Sequence, residues 1–551
     1  MRKYSIVPAD VLIIGGGGAA LRAAIAAKEE GAAVVMAVKG KLGACGSTSV
    51  AFAETTMITG SPLEEESGKE MYEDILKAGM GTVSPGLAEA LVRDCGQRVK
   101  DLERYGLKMQ RRVYSQLNVS GFAHSAPRTY IISSRMEHSI QEVLIKEIRN
   151  TDVAILEGVQ IVRLLTERQQ VVGAVGIKND DSLLLFKAGA VVLACGGAHG
   201  IFPHHPSTGD MIGDSFAMCY YAGLPMVNME FLQIGYMSAA PVKRILSAPV
   251  WRLNPRLVNR LGESVLEGYL PEGVTAREIF SIAEFPYTVR LDYKYLHQAV
   301  YGEWMKAGGG AQGVFLDVTG HSREEIRAQA PYTYEVFKTA GLDMAAERIP
   351  VAIGVQTFHG GCLIDENAET QLKRLYVCGE AAGGLMGAER PGGNALAECQ
   401  VFGNIAGRNA AGSGRRASVL SDSRAVSLAE DMLDEAQSEA PVSFAACIRE
   451  LRRLMAAGCL TIRNVQTLRG VIEGIDRLYS AGAPEHLSLK DRLSAANGLT
   501  AARLIAVSAL AREDSRGGHF RSDFPVRRQE FDGSVSIQKI DGKMQVSFIK
   551  L

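Results

Sequence analysis

The chain has 551 residues, a formal net charge of −1 and 47% hydrophobic residues. That length calls for several domains and that apolar content supports a large core, which excludes global disorder. The near-zero charge leaves no electrostatic footprint for nucleic acid, and no run reaches the ~18 uninterrupted apolar residues of a membrane helix, so direct membrane insertion is not expected.

Asp10–Ile14 reads as a short buried strand, and a secretory signal is not expected in the short segment before it. Gly15-Gly-Gly-Gly18 follows, then an alanine-rich helix from Ala19 to about Glu30, and a second apolar strand over Ala33–Val38. A strand–helix–strand unit of about 30 residues is the opening of a parallel doubly wound sheet. Residues 70–105 and 135–150 have helical patterning. Short β-like runs then succeed one another at Gln160–Leu165, Val171–Ile177, Leu183–Phe186 and Ala190–Ala194. A mixed segment follows from about 236 to 348. Strand character returns at Ile349–Gly354 and Arg374–Cys378. Ala411–Ala417 reads as a Gly/Ser/Arg linker, and beyond it the chain is largely helical, with Leu493, Ala496, Leu504, Val507 and Ala511 on one helix face. Nine cysteines are scattered without a C-x-x-C pair, so no metal or iron–sulfur motif is visible and a reducing cytoplasm is expected.

Gly15-Gly-Gly-Gly-Ala-Ala20 fits G-x-G-x-x-A in its required setting, after a strand and at the start of a helix. Gly15 permits the turn, Gly17 admits a pyrophosphate and Ala20 brings helix and strand close, with Gly18 and Ala19 completing the expected cofactor-binding loop. The helix N-terminus supplies amide donors for the phosphates. Two later strands also end in glycines: Ala190–Ala194 before Gly196-Gly197, and Leu375–Cys378 before Gly379-Glu380. A strand–Gly–acid element placed after a dinucleotide fold suits a carboxylate that receives a cofactor hydroxyl.

At this point the sequence resembles the flavoprotein subunits of succinate dehydrogenase and fumarate reductase, together with L-aspartate oxidase. The motifs run through nearly the whole chain. Lys39 and Gly46-Ser-Thr48 are similar to the family's segment after the second strand. Arg135-Met-Glu-His-Ser139 resembles R-T-G-H-S. Thr208-Gly-Asp210 with Gly213–Met218 resembles T-G-D-G-T-A-M, and Ala222–Pro225 and Glu230–Gln233 match A-G-L-P and E-F-x-Q. Gly387–Leu396 resembles G-A-N-R-L-G-G-N-S-L, and Asp514–Pro525 resembles E-S-R-G-A-H-Y-R-x-D-x-P. The resemblance implies an α/β fold: a Rossmann-like FAD-binding domain (1–235 and 349–410), an inserted capping domain (236–348) and a helical C-terminal domain (411–551). It implies FAD contacts from the Gly15 loop, Lys39, Gly46–Thr48, Gly196, Gly197, Asp214, Glu380, Asn394, Ala395 and Leu396.

The departures from the family carry functional information. Ser47 stands where the membrane enzymes have the histidine that links FAD covalently, so FAD is expected to be non-covalent. Gly235 and Gln356 stand where two substrate histidines are expected, which argues against succinate, fumarate and aspartate because a buried carboxylate loses its donors. Trp251 aligns with a family arginine, and Arg252 reaches that place with a loop one residue shorter. Arg390 is retained. Arg244, Arg252, Arg256 and Arg260 lie together in the capping segment, one of them expected to face the flavin. His359 is a candidate acid/base group or anion anchor, Tyr236 is read as a pocket wall, and His199, His204 and His205 near Cys195 have poor metal spacing. The expected activity is hydride transfer between flavin N5 and a small anionic organic molecule. Arg390 would bind the anion, and Arg252 or His359 would handle the proton. Other readings are an L-aspartate-oxidase-like enzyme, an adenylylsulfate-reductase-like flavoprotein with an iron–sulfur partner protein, and a non-catalytic electron-transfer flavin module.

Overall fold

Tyr4–Ile14 turns wholly apolar at Val11, and its last four residues are buried, as a strand covered on both faces requires. The computed structural model describes residues 2–51, 57–60, 65–111, 125, 128–132, 139–246, 248–281, 293–307, 313–415, 420–438, 443–480 and 487–551. Within it Ala154–Glu157, Val34–Val38, Tyr4–Ile14 and Leu183–Leu193 run parallel, in that order across one sheet. Of the Arg135–Ser139 motif, residues 135–138 lie outside the described residues, and Ser139 caps helix Ile140–Arg149.

Leu183–Leu193 is one continuous strand where the sequence pattern suggests two. It holds its register on Tyr4–Ile14 straight through Lys187 and Ala188, so the polar break at Lys187 does not end it. Its other edge is divided. Residues 183–187 pair antiparallel with Gln170–Lys178, and residues 191–193 pair parallel with Leu375–Val377. A strand from far along the chain therefore completes the nucleotide-binding sheet.

Helix Asn394–Gly414 covers that sheet and packs on helix Gly18–Glu29 at backbone distance. A Cβ on Gly407 would lie 2.2 Å from the carbonyl oxygen of Ala23. The expected linker at Ala411–Ala417 is corrected in its first part. Residues 411–414 end this helix, Ala411 is fully buried, and a Cβ on Gly414 would meet Asp10 O at 2.3 Å. The small residues there serve close packing, which mimics linker composition.

Leu232–Ser238 and Ile349–Phe358 pair antiparallel and share a five-stranded sheet with Arg244–Ile245, Arg256–Val258 and Val314–Asp317. The capping region thus joins the flavin domain through two continuous strands. The C-terminal part holds helices Asp422–Ser438, Phe444–Gly458, Val465–Ser480 and Leu489–Ala511. It ends in a hairpin, Ser534–Ile540 with Lys543–Ile549, that the helical expectation does not include and that pairs with Met226–Val227. Leu489–Ala511 is long and apolar enough to cross a membrane by length and composition, and 83% of its apolar window is buried within the protein.

Gly407→Ala tests the helix contact. The added methyl meets backbone that cannot rotate away, so the variant should lose about 1–3 kcal/mol of stability, read as a lowered denaturation midpoint at unchanged m-value.

Candidate flavin and substrate site

Gly15 has φ +127°, and a Cβ there would lie 2.3 Å from Ala194 O, so only glycine fits between the two strands. Gly17 caps helix Gly18–Glu29 without any side-chain bond, and Gly18 N donates to Thr48 Oγ1 at 3.1 Å. The first-turn amides of that helix have no intrahelical acceptor and carry the positive end of its dipole, which suits a pyrophosphate.

They border a cavity of about 870 Å³, part of it open to solvent, at the carboxyl ends of the parallel strands. Gly15, Gly17, Gly18, Ala19, Lys39, Gly46, Ser47, Thr48, Gly196, Gly197, Asp214 and Glu380 all line it. Ala20 lies beneath, fully buried in the helix–sheet contact. Asn394, Ala395 and Leu396 do not border it. Asn394 is fully buried with both amide ends unpartnered, and Cys399, one turn along, reaches the cavity instead.

Lys39 Nζ and Asp214 Oδ2 form a 2.8 Å ion pair. Asp214 Oδ1 accepts from Gln160 Nε2 at 3.1 Å and Asn497 Nδ2 at 2.8 Å. The sequence does not single out Gln160 and Asn497, because each is a lone amide whose partner lies far off along the chain. Glu380 ties two strand ends, taking Gly197 N at 3.2 Å and Phe358 N at 3.0 Å. Each oxygen keeps a further lone pair for a cofactor hydroxyl. Glycines at 15, 196 and 197 where a Cβ would clash, a helix N-terminus without a side-chain cap and acceptors at the far end together fit FAD.

Beyond the cavity lies a buried polar cluster. Arg390 is 6% exposed and its Nη2 donates to Gln233 Oε1 at 2.5 Å, while its Nε has no partner. Burial pulls Arg390 down to about 10. Burial, then the charge of Glu380, pushes Glu398 up to about 8. His359 is held down to about 3 by burial and then by Arg390, so it is neutral. Its Nδ1 is 3.1 Å from Gly387 O, which can only accept, so Nδ1 carries the hydrogen and the unpartnered Nε2 is left with a lone pair. A neutral imidazole offers no charge to an anion, and Nε2 is the one ring position left to accept a hydrogen.

Arg252 is corrected: it is exposed, and the neighbouring Trp251 turns inward, fully buried, stacked on Phe280 and edge-on to Tyr236. The indole fills the core of the cap, which turns Arg252 toward solvent. Tyr236 belongs to the same core, its hydroxyl 2.5 Å from His297 Nδ1, so it is not a wall of the flavin cavity. Arg256 and Arg260 are also exposed, and Arg244 is half-buried. Gly235 pairs with Gly354. Gln356 accepts His199 Nε2 on its backbone oxygen at 3.0 Å, while its side-chain oxygen is buried and unpartnered.

The FAD binding domain family matches residues 10–396, and the fumarate reductase flavoprotein C-terminal family matches residues 448–548. The chain is 31% identical to one of the subunits of the fumarate reductase (CoM/CoB) of Methanothermobacter marburgensis, covering 99% of each. It is 28% identical to the L-aspartate oxidase of Caulobacter vibrioides, over 82% of this chain and 81% of that one. The solved structure of E. coli quinol fumarate reductase shares the fold, with a TM-score of 0.82 at 24% identity over 100% of this chain and 97% of that one. The glycine cradle, its coverage by the FAD-binding family and the full-length relative together place this chain among the fumarate reductase and succinate dehydrogenase flavoprotein subunits, with L-aspartate oxidase, as an FAD-dependent oxidoreductase.

Proposed function

We propose that this oxidoreductase acts on a small anionic organic molecule other than succinate or fumarate, with FAD held non-covalently. The observation that carries this is the cluster around Arg390. It keeps a buried guanidinium with a free Nε and a histidine with a free Nε2, while positions 235 and 356 offer no imidazole. FAD, when bound, supplies hydride exchange with a substrate carbon at its N5. Arg390 receives an anionic group, its planar fork positioned by Gln233. His359 Nε2 takes a proton from a substrate heteroatom and returns it in the reverse direction. The low pKa makes it a weak resting base that relies on alignment. The capping strands Leu232–Ser238 and Ile349–Phe358 bring these groups together and exclude water.

Fumarate reduction is the second reading, carried by the name of the 31% identical relative. That relative is named as one component of a multi-subunit enzyme, which also supports an electron-carrying partner here, for which an iron–sulfur protein is our proposal. Anaerobic screening of organic acids for bleaching or reoxidation of the bound flavin tests the substrate class directly.

Ser47 cannot form a ring linkage, so acid denaturation should release all the FAD into the supernatant. Yellow colour retained on the precipitated chain overturns the non-covalent reading.

Succinate and fumarate should be turned over far below the ~10 s⁻¹ typical of enzymes. Rates at that level with either acid establish the second reading.

Arg390→Lys should keep FAD and lose roughly 100-fold or more in kcat/KM, because lysine replaces a two-point contact by one. Flavin content and turnover measured on one preparation check this. A fully loaded variant with near-wild-type turnover removes Arg390 from substrate binding.

A further inference from the structure

A second cavity lies against the flavin site and belongs to no part of the chemistry above. It has about 940 Å³ of open space, lined by His205, Ser207, Lys243, Arg244 and Arg452 among others. Three separate segments supply its polar and charged lining. The loop after strand Leu183–Leu193 supplies His205 and Ser207, the turn after Leu232–Ser238 supplies Lys243 and Arg244, and helix Phe444–Gly458 supplies Arg452.

Its wall is shared with the flavin cavity. Ser207 Oγ lies 2.8 Å from Ser47 Oγ and 3.1 Å from Met211 Sδ, and Ser47 and Met211 both border the flavin cavity. Its charge is uncompensated. Lys243, Arg244 and Arg452 have no salt-bridge partner among the described residues. Arg452 is half-buried and spends only its Nε, on Gly200 O at 2.8 Å, leaving both terminal nitrogens. Two acids lie near without pairing to these cations. Asp210 borders the flavin cavity, and Glu335, in the groove beside Val242, pairs with Arg327 at 3.3 Å. His205, 9% exposed, has a buried Nδ1 without a partner. Burial, then His199, holds it down to about 3, with Lys243 and Arg452 acting in the same direction, so it adds no charge of its own.

Like charges facing one concavity repel one another, and low-dielectric walls focus their field onto whatever enters. Two guanidiniums and an ammonium outnumber the single negative charge and two oxygens of a carboxylate. They match a group with three peripheral oxygens, a phosphate or a sulfonate, which can accept from several donors at once.

We propose that this cavity binds the phosphate or sulfonate group of the substrate, held by Lys243, Arg244 and Arg452, and so sets the substrate class as organic acids with a strongly acidic tail. This rests on the oxidoreductase reading above and narrows its substrate.

The test uses the FAD-loaded protein. Inorganic phosphate and methanesulfonate are titrated calorimetrically at constant ionic strength in chloride. Saturable one-to-one binding is expected, weakened ~10-fold or more in the Lys243→Ala/Arg244→Ala double variant. Arg453→Ala serves as control, because that neighbouring arginine is exposed and paired with Glu450, and it should bind as wild type does. Arg452→Met gives the same reading from a different segment if the double variant fails to hold FAD. Absence of saturable binding, or unchanged binding in both cavity variants, overturns the site. Phosphoglycolate compared with glycolate then separates the two sources of the anion. Tighter binding of phosphoglycolate than of either glycolate or phosphate, with a shift in flavin absorption, supports a substrate tail. Equal binding of free phosphate and phosphoglycolate, with no effect on the flavin, makes the occupant a free ion and overturns the substrate proposal. If the anions bind as expected and yet no organic acid of any kind bleaches the flavin, the oxidoreductase reading fails while the anion site stands.

Discussion

Glu230 and Arg512 are wholly out of solvent and in contact, Arg512 Nε donating to Glu230 Oε1 at 2.5 Å. A buried ion pair holds only if every remaining donor and acceptor is satisfied, and breaking one typically costs about 3–5 kcal/mol. Here the set is nearly complete. Ser508 Oγ donates to the other carboxylate oxygen, Arg512 reaches Phe531 O at 2.9 Å and Gly533 O at 2.7 Å, and Arg463 donates to Glu230 O at 2.7 Å. The consequence lies three residues on, where Gln233 meets Arg390. Gly518 sits so close that a Cβ would be 2.0 Å from Leu232 O, and one on Gly517 would be 1.9 Å from Ala388 O. The C-terminal segment therefore wedges against both strips of backbone that present Gln233 and Arg390. The flavin domain alone does not fix the Gln233–Arg390 pair.

Electrostatics within that site follow from the same burial. Arg390 and Glu398 are both buried, with Glu380 at the cavity wall nearby, and of the buried two one charge is kept and one given up: Glu398, pushed up to about 8, is largely protonated at neutral pH. A carboxyl raised in this way stabilises the fold below its ordinary value near 4.5, and that contribution fades as pH climbs toward about 8. His359 runs the opposite way and stays neutral until the solution is strongly acidic, near 3. The cluster thus presents a buried cation beside a neutral imidazole.

Much of the flavin cavity was legible in the sequence because backbone approach to a cofactor demands glycine. Gly15, Gly17, Gly18, Gly46, Gly196 and Gly197 are all there, with Lys39, Asp214 and Glu380 beside them. What was not legible has a common cause. Gln160 and Asn497 are fixed by a partner, Asp214, 54 and 283 residues away, and no local pattern encodes that distance. The placing of Arg252 failed because one residue of loop length decides whether a side chain faces solvent or core, and the larger apolar surface of Trp251 took the inward place. Ala411–Gly414 failed because small residues serve flexible linkers and tight helix packing alike.

The divided edge of strand Leu183–Leu193 has a consequence for how the protein is made. Its upper half pairs with Leu375–Val377, so the nucleotide-binding sheet remains open on that side while the intervening residues are translated. At about 5–20 residues per second, that delay is roughly 10–40 s. For that time the first part of the chain presents an unpaired apolar edge, and helix Asn394–Gly414, which covers the sheet, has yet to be made. The cavity, which Cys378, Gly379 and Glu380 help to line, is thereby completed only after most of the polypeptide has been made.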